Sequence, residues 1–480
     1  MFRKSSSSNI SSASATLAAV AVVQFTVSLD LSVVNVALPR IADGLGFTDA
    51  AVTWVIHAYA LAFGGFLLLG GKAADMFGRR RMLLVGLAVF AAASLVGGLA
   101  QTPWHLLAAR ALQGVGAAAA APAALAQLTS AFPSGAARAR AFAVWGAVNA
   151  AGGAMGVVVG GLLTEYAGWR WIMFINVPMA LAAMLLAALL PRDEGSRQGR
   201  PDVLGAILAT TGVGALVFAI VRTDTAPVAS AETIGVLTAA AVLLALFVLV
   251  ERRTRRDPLV RLGLFRLRSV SGANLYNLLL GAAMAGAFYL LSMQIQRVMG
   301  AGPAAAGAMF LPFALGVVAG AAIGGRLQSR LTPRDLLVIG AVLAGLGFCW
   351  FTGAGASATF VGNVLGPSLV TSVGFGLALG PVVSTATAEA PPRDAGMASG
   401  LLNTSRQIGA SLGLAVIGAV AHARVDPASS AQEIAVGHAS GFAVCALVLF
   451  ACAGIALVLI PRTIHRTPTA DTPPSERKES

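Results

Sequence analysis

The sequence predicts an all-α integral membrane protein: two six-helix bundles plus an inserted pair of transmembrane helices, fourteen spans in all. Three observations predict it. Only 11% of the 480 residues are charged against 57% hydrophobic, and the mean hydropathy is +0.80; soluble domains average about 25% charged. Apolar runs near the roughly 20 residues needed to cross a hydrocarbon core recur along the whole chain. The cations are segregated, with about 26 of the 33 Lys and Arg in the N-terminus, alternate loops and the C-terminus. Arg40, Arg170, Arg222, Arg297 and Arg424 fall on the other side, and Arg110 and Arg406 lie within apolar runs. An excess of basic residues marks the cytoplasmic side, so both termini are expected there, in a multi-pass protein of the cell membrane. The same segregation argues against a nucleic-acid partner, which a net charge of +13 would otherwise suggest.

In chain order, residues 1–14 read as a Ser-rich, disordered cytoplasmic lead. No cleaved signal peptide is expected, because the small residues Ala13, Ser14 and Ala15 precede the apolar run. Residues 15–190 hold six apolar segments, the N-terminal bundle. Residues 191–268 combine a charged linker, two further segments within 202–250, and a loop with seven arginines from Glu251 to Arg268. Residues 269–461 hold six more segments, the C-terminal bundle, and residues 462–480 form a polar, Pro-rich tail with no means of burying a core. Cys349, Cys445 and Cys452 sit inside apolar runs and read as small packing residues.

Between the second and third apolar segments stands Gly71 to Arg81, GKAADMFGRRR. It reads as a tight cytoplasmic turn in which Gly71 and Gly78 allow close backbone approach, and Asp75 lies four residues from Arg79. A carboxylate held among guanidiniums, here Arg79 and Arg80, can act as a charge-assisted conformational latch. The stretch repeats without gaps at Gly325 to Gly340, with Arg326 on Lys72 and Arg334 on Arg80, but Ser329 replaces Asp75 and Thr332 replaces Gly78. A weaker echo pairs Gly114 and Gly116, before Pro122, with Gly374 and Gly376, before Pro381. Two halves related by such a repeat are the sequence trace of alternating-access transporters, whose site lies between them.

With these motifs assembled, the chain resembles the major facilitator superfamily and, within it, the fourteen-helix drug:proton antiporter family. Gly71 to Arg81 resembles the signature loop between helices 2 and 3; Leu29 to Pro39, LDLSVVNVALP, resembles the first-helix motif; Trp54, Ala58, Tyr59 and Leu61 fit the second helix. Arg110 to Gly116 is similar to the fourth-helix motif, and Trp169 to Pro178 to that of the sixth. Gly152, Gly156, Gly160 and Gly161 match the fifth-helix antiporter motif, except that Val157 stands where the family carries proline. The first three lie at i, i+4, i+8 and form one groove for close helix contact. The resemblance implies export of lipophilic or cationic drugs or antibiotics, driven by the proton gradient with no cofactor, by a chain that works as a monomer in the lipid bilayer. A dedicated exporter of one natural metabolite, such as a self-made antibiotic, fits the same residues. A non-transporting membrane sensor would be expected to lack Asp30 or the latch.

Asp30 carries the energetics. It sits in an apolar run, where an aspartate costs about 3 kcal/mol on insertion scales. Hydrocarbon disfavours its charged form. Such a carboxyl can load a proton in one state and release it in another, bind a cationic substrate, or serve as a packing peg. Arg110 is its natural partner, since a buried guanidinium needs an acceptor; it could also cap the outer end of its helix. The family resemblance implicates Arg110 in proton transfer. Polar or aromatic residues inside apolar spans, Asn35, Gln113, Asn149, Tyr276, Asn277, Phe288 and Gln294, are candidates for a substrate cavity or for interhelical bonds. Arg406, and Glu389 with Asp394 around Pro391 and Pro392, are accessory candidates. The chain shows no nucleophile–base pair, P-loop or metal-ligand cluster, so no enzyme and no metal site is expected.

Overall fold

A computed structural model describes residues 4–132, 135–190, 202–222, 230–253, 260–328, 330–355, 358–389, 395–423 and 430–462. The charged linker 191–201, most of the tail, Ser329 and Asp394 lie outside them. Fourteen long helices are present among the described residues. The first six are α1 (Lys4–Leu45), α2 (Trp54–Phe77), α3 (Arg79–Gly98), α4 (Pro103–Ala131), α5 (Gly135–Tyr166) and α6 (Trp171–Ala188). Next come α7 (Val203–Arg222) and α8 (Ala231–Arg253). The last six are α9 (Arg268–Val298), α10 (Pro303–Leu327), α11 (Pro333–Phe351), α12 (Phe360–Ala388), α13 (Ala395–His422) and α14 (Ala431–Leu459). Thirteen of them are long and apolar enough to cross a membrane, so the expected fourteen spans become thirteen on that criterion. The exception, α13, is a 28-residue helix interrupted near its middle by the polar run Asn403 to Gln407.

Two sequence expectations change. The first helix starts at Lys4, inside the stretch expected to be disordered; extending an existing helix is far easier than nucleating one, and nothing from Ser5 to Ser14 breaks it. Gly71 to Phe77 is also helical, not part of a turn. Lys72, Ala73, Ala74 and Met76 tolerate a helix well. The chain reverses at Gly78, whose φ of 95° suits a residue without Cβ.

The repeat reappears in packing. A Cβ added at Gly116 on α4 would lie 2.7 Å from the Gly86 carbonyl oxygen of α3, and one at Gly374 on α12 would lie 2.5 Å from that of Gly340 on α11. Gly114 packs instead on α2, and Gly376 on α10. The same sandwich is built in each half, with the roles of the two glycines exchanged along the helix.

One large apolar cluster runs from Val33, Leu38 and Ile41 of α1 into Tyr289, Ile295 and Phe310 of the second half, joining the halves at the Leu45 end of α1. Hydrogen bonds reinforce this closure. Ser292 Oγ donates to the Asn35 carbonyl at 3.0 Å, Gln296 Nε2 to that of Val36 at 3.1 Å, and Ala304 N to the Glu165 carboxylate at 2.7 Å. A second cluster, with Val20, Leu83, Ala124 and Ala187, belongs to the first half alone, near Gly78. The inserted α7 packs against both α2 and α13, while α8 packs on α7.

Candidate functional site

Asp30 is fully buried in the middle of α1, and three side chains donate to its carboxylate. Arg110 Nη1 from α4 lies 2.8 Å from Oδ2, Asn176 Nδ2 from α6 lies 2.6 Å from Oδ1, and Gln113 Nε2 lies 3.4 Å from Oδ1. The arginine is itself buried and fixed on every side. Its Nε donates to the Val55 carbonyl at 3.0 Å, Nη1 also reaches Gln113 Oε1 at 2.9 Å, and the guanidinium lies 4.5 Å from the Tyr59 ring centroid. Gln113 Nε2 also donates to Ser94 Oγ at 2.7 Å, and Ser94 in turn donates to the Phe90 carbonyl. Helices α1, α2, α3, α4 and α6 therefore meet on one ion pair. Desolvating two charges is costly, and such a pair persists only when further hydrogen bonds satisfy both partners.

Two atoms beside the ion pair keep unused hydrogen-bonding capacity. Asn176 Oδ1 and Tyr59 OH are buried and have no hydrogen-bond partner among the described residues. A protonated Asp30 becomes a donor, and rotation of the Asn176 amide would offer it an acceptor. Arg110 would then lose its counter-charge, leaving a buried cation whose position is no longer favoured.

The glycine groove secures α1 beside this cluster. A Cβ at Gly152 would lie 2.9 Å from the Phe25 carbonyl oxygen, at Gly156 2.7 Å from that of Leu29, and at Gly160 2.7 Å from that of Val33. Gly161 faces the second half, where a Cβ would lie 2.3 Å from the Pro303 carbonyl oxygen. Val157 is buried within an unbroken helix, so α5 carries no proline bend there.

At Gly71 to Arg81, Asp75 pairs with Arg79 at 3.6 Å across Gly78, with its side chain 63% exposed. Exposed pairs of this kind contribute about 0–1 kcal/mol. The arginines reach further. Arg79 donates to the Ala126 carbonyl and to Ser130 Oγ at the end of α4, and Arg80 donates to the Ala188 carbonyl at the end of α6. Cations at helix C-termini complement the orphan carbonyls and the dipole. These side chains thus link α2 to α3, and α3 to the ends of α4 and α6.

The candidate cavity residues divide. Gln113 belongs to the Asp30 cluster. Half-buried Asn149 accepts from Gln24 Nε2 and Ser28 Oγ of α1, both at 2.6 Å. Asn35 Nδ2 bonds its own helix at Leu31. Tyr276, Asn277 and Gln294 are engaged within the second half, on the Leu337 carbonyl, the Leu402 carbonyl and His438 respectively. Phe288 stacks on Phe310. Half-buried Arg406 donates to Asn403 Oδ1, and Glu389 accepts from Ser269. Ser94, Gln24 and Ser28 escaped the sequence reading, and Asn176 entered it only as part of the sixth-helix motif, with no role given to it. Each is a polar side chain inside an apolar run, the signal that singled out Asn35 and Asn149.

Comparison with known proteins agrees with this architecture. The sequence pattern of the Major Facilitator Superfamily matches residues 20–414. The chain is 38% identical over 474 residues to the cephamycin export protein CmcT of Amycolatopsis lactamdurans, covering 96% of this chain and 97% of that one. It is 39% identical over 461 residues to the puromycin resistance protein pur8 of Streptomyces alboniger, covering 93% and 91%. Among solved structures, a bacterial homologue of the human drug peptide transporters PepT1 and PepT2 aligns over 93% of this chain and 98% of that one, with a TM-score of 0.66. At 14% identity that is a likeness of fold. With a matched pattern across most of its length and relatives aligned nearly end to end, the chain belongs to the major facilitator superfamily, as a membrane transporter and not an enzyme.

Proposed function

We propose that the protein exports lipophilic or cationic drugs or antibiotics across the cell membrane in exchange for protons, by alternating access. The observation that carries this reading is the wholly buried Asp30, held by Arg110, Asn176 and Gln113 and flanked by unpartnered acceptors. Protonation neutralises Asp30, releases Arg110 and loosens α1 from α4 and α6; deprotonation restores the pair. Two states that differ in one buried proton are what coupling requires, because a ligand shifts an equilibrium only by its differential affinity for the two states. Half-buried Gln24 and Asn149, with buried Ser28 between them, supply polar handles for substrate, Ser28 lying two residues and Gln24 six residues before Asp30 on α1.

The concentration of Lys and Arg in the termini and alternate loops supports a cytoplasmic position for both ends. In that orientation the halves are closed on the outer side, and a single copy contains the whole site, so a monomer suffices. The cephamycin export protein among the relatives favours a second reading, a dedicated exporter of one antibiotic. A substrate screen across antibiotic classes separates the two by breadth.

The test is direct. In proteoliposomes, an imposed proton gradient should drive substrate against its concentration, and a protonophore should stop it. Accumulation that ignores the protonophore would remove the proton from the mechanism. Asp75→Asn should slow turnover while leaving substrate affinity within about fivefold, since the pair it removes contributes at most ~1 kcal/mol and lies at the helix ends. An unchanged rate would refute the latch.

A further inference from the structure

Arg406 stands near the middle of α13, roughly 16 Å along the helix axis from Ala395. A guanidinium does not lose its proton, so it needs acceptors where it stands. Among the described residues Arg406 has one, Asn403 Oδ1 at 2.9 Å, and no carboxylate within ion-pair distance. Asp30 is fully buried and taken by Arg110.

The contacts of α13 settle which way Arg406 faces. Thr404 donates to the Gly64 carbonyl of α2, and a Cβ at Gly64 would lie 2.7 Å from Gln407 Cβ. Ser405 donates to Asn274 of α9, and a Cβ at Gly409 or Gly413 would run into Leu278 or Ala282 of the same helix. Leu401 and Ile408 line a cavity shared with Ala209 and Val213 of α7. The face left over carries Ser399, Asn403, Arg406 and Ala410, at i, i+4, i+7 and i+11. It lies opposite the inserted pair, between α2 of one half and α9 of the other, and all four residues are half-buried. Leu414 and Ile417 continue the same face and are buried in the apolar cluster that joins the halves. The stripe is therefore the wall of a passage, open toward the Ala395 end of α13 and shut beyond Ala410.

A guanidinium without a counter-charge on such a wall repels cations and is stabilised by an anion. Its planar fork matches the paired oxygens of a carboxylate, sulfonate or phosphate. We propose that Arg406, with Asn403 beside it, is the subsite that receives the acidic group of the transported molecule. The proposal rests on the exporter reading above and narrows its lipophilic substrates to those that carry an anionic group.

The test is binding, with no gradient applied. In the full chain carrying Cys349→Ser, only the two buried cysteines remain, and Ala410→Cys adds a thiol to the stripe one turn from Arg406. Uncharged N-ethylmaleimide should label that thiol. Octanesulfonate should slow the labelling at about tenfold lower concentration than octyltrimethylammonium, a difference of ~1.4 kcal/mol. Arg406→Gln should erase the difference, and Arg406→Lys, which keeps the charge, should retain part of it. Ser399→Cys repeats the measurement at a second position on the stripe. Equal protection by the two amphiphiles, or protection by neither, in a chain that keeps Arg406 overturns the proposal, and this comparison needs no Arg406 variant to fold. Thiols at both positions that the maleimide cannot reach overturn it as well, because the stripe would then line no passage. The readout uses neither transport nor a proton gradient, so a failure of the exporter reading and a failure of this subsite are told apart.

Discussion

Asp30→Asn abolishes uphill transport and leaves the protein folded. The amide has nearly the shape of the carboxylate, so its oxygen can still accept from Arg110 and the packing of α1 on α4 and α6 is preserved. It cannot exchange a proton. With the proton step gone, substrate should equilibrate down its own gradient, and the inside-to-outside ratio should collapse to unity under any imposed pH difference. Stability will fall, because a neutral residue now faces a buried guanidinium. Breaking a buried pair from one side costs about 3–5 kcal/mol, and the retained hydrogen bond places this change at the lower end. Adding Arg110→Gln removes the orphaned charge, so the double variant should recover thermal stability without recovering pumping. That split separates a proton carrier from a packing peg: a peg predicts that transport returns with stability. If Asp30→Asn accumulates substrate like wild type, the assignment of the proton to this residue is wrong.

The ion pair was legible in the sequence because each member violates its surroundings. Asp30 and Arg110 stand alone in apolar runs, and only a partner makes either tolerable. Asn176 and Ser94 violate theirs more gently, since an amide or hydroxyl is common at helix contacts, so nothing in composition ranked them above Asn277 or Gln294. Only the crossing of α1, α3, α4 and α6 does that. The helix order was legible from hydropathy, whereas α13 shows the limit of that reasoning: its middle is polar because it packs against α2 and α9 and not against lipid. The reversal at Gly78 reads in the sequence as a longer turn because charge suggests a break in the helix, although Lys, Ala and Met continue one readily and a single Asp does not end it. The position of α7 across both halves had no sequence signature, since lipid-facing and protein-facing helices are similarly apolar.

Gly156→Val should be as damaging as losing the carboxylate, for a geometric reason. A Cβ there would lie 2.7 Å from the Leu29 carbonyl oxygen and 2.9 Å from Ser32 Cβ. The first obstacle is helix backbone, which cannot move aside as a flexible side chain can. Overpacking commonly costs about 1–3 kcal/mol, and a rigid obstacle belongs at or above the upper end. The only relief is for α1 to retreat from α5, and Leu29 is the residue next to Asp30. The shift would therefore stretch the contacts to Arg110 and Asn176 together, so transport should fail even in molecules that remain folded. Gly153, three residues away on the same helix, is the control: its Cβ would meet only Ser32 Oγ, at an ordinary 3.6 Å. Gly153→Ala should leave the thermal midpoint and the transport rate at wild-type values. Equal tolerance of both changes would mean that the groove does not fix α1, and the buried proton site would have to be held in register by the loops instead.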